Sequence, residues 1–166
     1  MQIHKAAEED IIEALYLIKL SYEYNNVSEN EWRPPTPEYL EMKKEVNNGE
    51  LFVLRKGKIT FGTFSLAGEM PENFNKIEWK DQGNKNLVIK RIAVFPGWFS
   101  EEIGEELINF IEQYAREHNF SSIKSNAYSK NESINTLYKN MGFTFQGNAV
   151  LPGKKSSYYF YEKCFE

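Results

Sequence analysis

The chain has a single cysteine, Cys164, in 166 residues, which excludes an internal disulfide and leaves nothing that requires an oxidising compartment. Histidine is nearly as scarce. His4 and His118 stand far apart, and with only one thiol beside them they lack the ligand spacing of a zinc site. No stretch approaches the ~20 apolar residues of a membrane-spanning helix, and the residues after Met1 do not read as a secretory signal. Basic charge does not dominate either: 20 Lys and Arg against 24 Asp and Glu leave a net charge of −4, so a nucleic-acid surface is not expected. These absences lead to the expectation of a cytoplasmic globular protein with no metal. What is abundant is aromatic, with 12 Phe, 10 Tyr and 3 Trp, a composition that opposes disorder. A chain of this length suits one domain, residues 1–166, and can bury about two-thirds of its unfolded surface.

Periodicity divides the chain into alternating elements. Gln2–Ala6 reads as a strand, followed by a helix from near Ala7 in which Ile11, Ile12, Leu15, Ile18 and Leu20 recur at near-helical spacing. Asn25, Asn26, Pro34 and Pro35 break it. A second helix is predicted from Pro37, in its first turn, to about Val46, stopped by Asn47, Asn48 and Gly49. Leu51–Arg55 and Ile59–Leu66 read as strands joined by a hairpin across Gly57. Lys76–Lys80 is either a short strand or a loop. Leu87–Phe95 is apolar and β-branched, interrupted by Lys90 and Arg91, and suits a central strand. A helix then starts near Ser100 with a stripe of Ile103, Leu107, Phe110, Ile111 and Tyr114. Ser122–Tyr128 is a strand, Ser133–Met141 a helix ended by Gly142, and strands begin at Phe143 and Ser156. The order β-α-α-β-β-β-α-β-α-β-β implies an α/β (α+β mixed) fold, a mixed sheet flanked by helices.

Three stretches carry a resemblance to a known family. The first runs from Ile89 to Leu107 and holds Ile92-Ala93-Val94, then Pro96, then a turn into a helix with Ile103-Gly104-Glu105-Glu106-Leu107. The second is Asn131-Glu132-Ser133-Ile134-Asn135-Thr136-Leu137-Tyr138, and the third continues it through Gly142-Phe143. In this order and spacing they resemble the GNAT superfamily of acyl-CoA-dependent N-acyltransferases, with a motif-level match over about residues 87–147. The resemblance implies a GNAT-like, mostly antiparallel sheet, acetyl-CoA as co-substrate without a metal, and a small-molecule or protein amine as acceptor. The acidic balance and the lack of a membrane-length apolar run lead to the expectation of no nucleic-acid or membrane partner, and a homodimer is allowed.

Residue by residue, the resemblance assigns the backbone of Ile92, Ala93 and Val94 to the pantetheine arm. It assigns the amides around Ile103 and Gly104 to the pyrophosphate, and Asn131 to coenzyme contact or to capping the last helix. Tyr138 becomes the proton donor to the departing thiolate, since a phenol stays protonated at neutral pH. The phosphate loop departs from the family's Gln/Arg-x-x-Gly-x-Gly/Ala pattern: Phe99 stands at the first position and Glu102 at the first glycine, with Gly104 at the second. Carboxylates at Glu101 and Glu102 offset the helix dipole a phosphate would use, and Ser100 is a candidate cap of the same helix. Arg91, Lys130 and Lys139 are candidate compensating cations. No general base carries over, and Glu50 and Glu78 are only guesses. Tyr22, Tyr24, Trp32 and Tyr39, with Pro34 and Pro35, are candidate walls of an acceptor pocket, with Glu23, Glu29 and Glu31 for an ammonium. A loop packed down by the same aromatics accounts for them equally well. Trp79 and Trp98 either flank the site mouth or cover the sheet. The expected function is N-acetyl transfer; the alternative is a non-catalytic GNAT-like binding module with impaired coenzyme binding.

Overall fold

In the computed structural model, residues 1–25, 37–150 and 157–165 are described. Seven strands form one sheet: β1 (Gln2–Lys5), β2 (Leu51–Lys56), β3 (Ile59–Ala67), β4 (Asn86–Val94), β5 (Ser122–Tyr128), β6 (Thr144–Val150) and β7 (Ser157–Cys164). Their order is β1-β2-β3-β4-β5-β7-β6. Pairing is antiparallel at β1–β2, β2–β3, β5–β7 and β6–β7, and parallel at β4–β5. Four α-helices flank the sheet: α1 (Ile11–Asn25), α2 (Tyr39–Asn47), α3 (Glu101–Glu117) and α4 (Glu132–Asn140). This is the mixed fold that the order of elements predicts. Among the described residues no helix is long and apolar enough to cross a membrane.

The chain divides into two compact units, Met1–Leu66 with Lys90–Ile103, and Ala67–Ile89 with Gly104–Glu166. The first has a core of Ala6, Ile11, Ala14, Ile18, Met42, Leu51, Val53 and Ala93. Its first helix begins at Ile11, the first residue of the apolar spacing, and not near Ala7 as expected. Glu8–Asp10 is a 3₁₀ turn because the Asp10 carboxylate accepts from Ala7 N at 2.7 Å and pairs with Arg55, which tightens the entry into α1. Pro37 lies outside α2, not in its first turn, because Glu38 is extended at the N-cap position. Asn48 and Gly49, at φ +70°, end that helix as its sequence implies.

The second unit packs Phe74, Trp79, Val88 and Phe160 together. The Lys76–Lys80 stretch is not a strand: a 3₁₀ turn over Glu72–Lys76 leads into irregular chain. Trp79 is 7 % exposed, edge-on to Phe160 with its indole N–H donating to Phe74 O at 2.8 Å, so it covers the sheet. In α3, Leu107, Ile108, Ile111 and Ala115 are fully buried. Each side chain the size of Leu or Ile contributes about 1.5–3 kcal/mol when fully buried, which fixes this helix against its unit.

Candidate active site

The coenzyme and catalytic residues assigned from the sequence fall on β4, the start of α3, and α4 with its cap. In the first unit, Ala93 is buried while Ile92 and Val94 are half-buried. The backbone approaches closely here. A Cβ on Gly62 of β3 would stand 3.2 Å from Ala93 O and 2.6 Å from Leu54 Cδ1, so a side chain there would make Leu54 move and press on the β4 backbone. Just past β4, Phe95 N donates to Phe61 O at 2.7 Å, and Trp98 packs on Phe61 with centroids 5.4 Å apart while remaining exposed.

Arg91 takes a left-handed conformation in mid-strand, φ +52°. This costs a non-glycine residue about 1–2 kcal/mol. Its guanidinium binds both oxygens of the Glu45 carboxylate on α2 and also donates to Ser65 Oγ at 3.0 Å. Ser65 Oγ in turn donates to Glu45. Hydrogen bonds to charged groups contribute about 1.5–3 kcal/mol each, so the cluster outweighs the strain. Arg91 is therefore committed to Glu45, which removes it from the candidate phosphate cations. The Tyr22 hydroxyl is pushed up from its ordinary value, first by burial, against the pull of the Arg91 charge.

At the start of α3, Ser100 Oγ accepts from Ile103 N at 3.2 Å, so the candidate cap is formed. Glu101 and Glu102 are exposed, Phe99 and Ile103 are half-buried and Gly104 is buried. The Ser100 bond is long and lies on an exposed turn. That amide is thus already satisfied, and an anion at this turn would have to displace Ser100 beside Glu101 and Glu102.

In the second unit, β4 and β5 pair in parallel at Asn86↔Ser122, Leu87↔Ile123 and Val88↔Lys124. Tyr138 of α4 is 1 % exposed, between Phe143 and Tyr161 at centroid distances of 5.1 and 5.2 Å. Its hydroxyl lies 2.7 Å from Ser125 Oγ, which also reaches Ile89 O at 3.5 Å. Burial pushes the Tyr138 phenol far up, the Ser125 hydrogen bond pulls it partly back and Tyr161 adds a smaller upward effect. The group is protonated throughout the physiological range.

Asn131 serves as the cap of α4, accepting from Ile134 N at 3.3 Å. Behind it, Asn135 donates to Tyr128 O and Asn131 O at 3.0 and 2.8 Å and accepts from Tyr161 at 2.6 Å. Lys130, Lys139 and Glu78 are exposed and Glu50 is half-buried. His4 is exposed, and His118 Nδ1 lies 2.9 Å from Tyr114 O at the end of α3. Of the candidate acceptor walls, Tyr22 is half-buried and Tyr24 and Tyr39 are exposed. Trp32, Pro34, Pro35, Glu29 and Glu31 lie outside the described residues. Among the described residues no group of three or more His, Cys, Asp or Glu is arranged to hold a metal.

The sequence reading missed Glu45, Ser125 and Lys124. Lys124 is completely buried, donating to Asp81 O at 2.7 Å and to Asn86 Oδ1, with Glu162 Oε2 at 3.4 Å. A charged residue within a strand, Arg91 on β4 and Lys124 on β5, is the signal that points to a partner such as Glu45 or Glu162, since a buried charge demands one.

Against this geometry, the family model of the Acetyltransferase (GNAT) domain matches residues 4–161. The chain belongs to the GNAT acetyltransferase family. Among solved structures it is similar to a GNAT-family acetyltransferase from Streptococcus agalactiae, with a TM-score of 0.77 at 16 % identity over 99 % of this chain and 95 % of that one. It is also similar to ribosomal-protein-alanine N-acetyltransferase from Brucella melitensis, with a TM-score of 0.71 at 15 % identity over 99 % and 100 %. A third is yncA from Salmonella typhimurium, solved with its cofactor acetyl-CoA, with a TM-score of 0.72 at 15 % identity over 100 % and 94 %. At these identities the likeness concerns the fold. No curated protein matches the sequence.

Proposed function

We propose that the chain is an N-acetyltransferase that takes its acyl group from acetyl-CoA and delivers it to an amine of a small molecule or protein. The observation that carries this reading is the family model matched over residues 4–161, with Tyr138 on the helix of the family motif and its hydroxyl held 2.7 Å from Ser125 Oγ. The coenzyme comes from family membership and from the acetyl-CoA bound to yncA.

Bound acetyl-CoA supplies the acyl group as a thioester. The chain's own residues do the rest. The backbone of Ile92, Ala93 and Val94 takes the extended pantetheine arm as it would a neighbouring strand. The Ile103 and Gly104 amides at the start of α3 meet the pyrophosphate, with Ile103 exchanging Ser100 for a phosphate oxygen. Asn131 keeps the α4 terminus in place. Tyr138 gives its proton to the departing sulfur, and the proton lost by the attacking amine restores the phenol, so the step balances without a proton from bulk solvent. Ser125, by donating to the phenol oxygen, steadies the charge left there.

Titration calorimetry with acetyl-CoA tests the reading. The expected result is one site with Kd below about 1 mM, the upper end of ordinary substrate affinities. No heat at millimolar coenzyme would leave the transferase without support and favour a binding module that has lost the coenzyme.

A further inference from the structure

β4 holds a conformation that its own sequence disfavours. Arg91 sits in the left-handed region immediately before the three residues proposed to face the pantetheine arm. A residue of this kind breaks the alternation of a strand and redirects the backbone N–H and C=O groups that follow, and such irregularities concentrate beside active sites. Glycine would take this conformation without strain, but an arginine keeps it only if its surroundings over-determine it.

The surroundings that do so are specific. Glu45 of α2 is 5 % exposed, and its carboxylate takes the Arg91 guanidinium through both oxygens. Ser65 of β3 bonds both members of the pair. Arg91 Nε is buried with no partner of its own, so the guanidinium is not placed to satisfy all of its donors. Its position follows the carboxylate.

We propose that Glu45 is a positioning residue for β4: by anchoring the Arg91 guanidinium it fixes the left-handed turn at residue 91 and so sets the direction of the Ile92, Ala93 and Val94 backbone groups. The consequence for acetyl-CoA rests on the transferase reading; the conformational part stands apart from it. Two variants of the full chain separate the two, Glu45→Met and the double variant Glu45→Met/Arg91→Gly. Backbone carbon shifts and the amide–Hα coupling of residue 91 report its φ with no ligand present, and calorimetry reports affinity for acetyl-CoA.

In E45M, residue 91 shifts to extended values and acetyl-CoA binds about tenfold or more weakly, the scale set by the strain of such a residue. Glycine needs no anchor, so the double variant returns to within about threefold of the wild type. The proposal is overturned if E45M keeps residue 91 left-handed, or if the double variant binds no better than E45M. Should E45M fail to fold, the double variant decides. Wild-type-like binding by it supports the anchor, and its own failure to fold assigns Glu45 to stability alone. If the wild type gives no heat with acetyl-CoA while E45M still shifts residue 91, the transferase reading falls and the anchor stands.

Discussion

Tyr138→Phe removes one oxygen from a buried ring and leaves its packing against Phe143 and Tyr161 intact. The lost hydrogen bond is the 2.7 Å contact with Ser125, whose hydroxyl keeps only a 3.5 Å approach to Ile89 O. A neutral hydrogen bond of this type contributes about 1 kcal/mol. Against the roughly 5–15 kcal/mol of a natural domain, that loss leaves the protein folded at 25 °C. Loss of a general acid, by contrast, lowers kcat by about 10²–10⁴. The two effects differ enough in size to be told apart in one preparation. The assay follows release of the coenzyme thiol in the presence of a pool of amines, with a urea melt alongside. The expected outcome is a hundredfold or greater fall in kcat with KM for acetyl-CoA unchanged and a melt shifted by about 1 kcal/mol. Turnover within threefold of the wild type, in a protein that melts as expected, would refute proton donation by Tyr138.

Four other outcomes follow from the same structure. Glu102→Gly removes an exposed carboxylate from the first turn of α3 and should tighten acetyl-CoA binding about two- to fivefold at low salt, less at high salt; unchanged affinity in calorimetry at both would place the side chain clear of the phosphates. Ser100→Ala deletes the cap on Ile103 N and should cost about 1 kcal/mol, a Tm fall of about 2–4 °C by scanning calorimetry. Lys124→Met strands the Glu162 carboxylate beside the amides of Lys80 and Asp81 and should cost about 3–5 kcal/mol in urea unfolding. Tyr22, Tyr138 and Tyr161 all titrate above the ordinary 10.0, each chiefly because of burial. The unfolded chain therefore releases these protons first, and stability present below about pH 10 falls as pH rises beyond it, a slope that urea midpoints should show and that Tyr138→Phe should reduce.

The boundaries of β4 were nearly legible, Leu87–Phe95 expected and Asn86–Val94 found, because a β-branched apolar run carries its own preference. The irregularity inside that strand was not. A left-handed arginine is anchored by a carboxylate on α2, with β2 and β3 between the two in the chain, and no local preference announces it. Tyr138 was found through its motif, but its partner Ser125 was not, since a serine in a strand looks the same whether it meets water or a phenol. The α3 start shows the opposite case. Ser100, followed by two acids and an apolar stripe, encodes a cap that depends only on neighbours in sequence, and the structure contains it. Trp79 had two candidate places, and only the ring packing with Phe74 and Phe160 decides between them.

The strand order has a bearing on how the protein is made. β7, which follows β6 in the chain, lies between β5 and β6, and its Glu162 pairs with the lysine buried on β5. Until Ser157–Cys164 has left the ribosome, β6 has no neighbour to pair with and Lys124 lacks the Glu162 carboxylate, so a nascent chain cannot close this half of the sheet early. Completion of the second unit therefore waits on Ser157–Cys164, the strand that fills the place between β5 and β6.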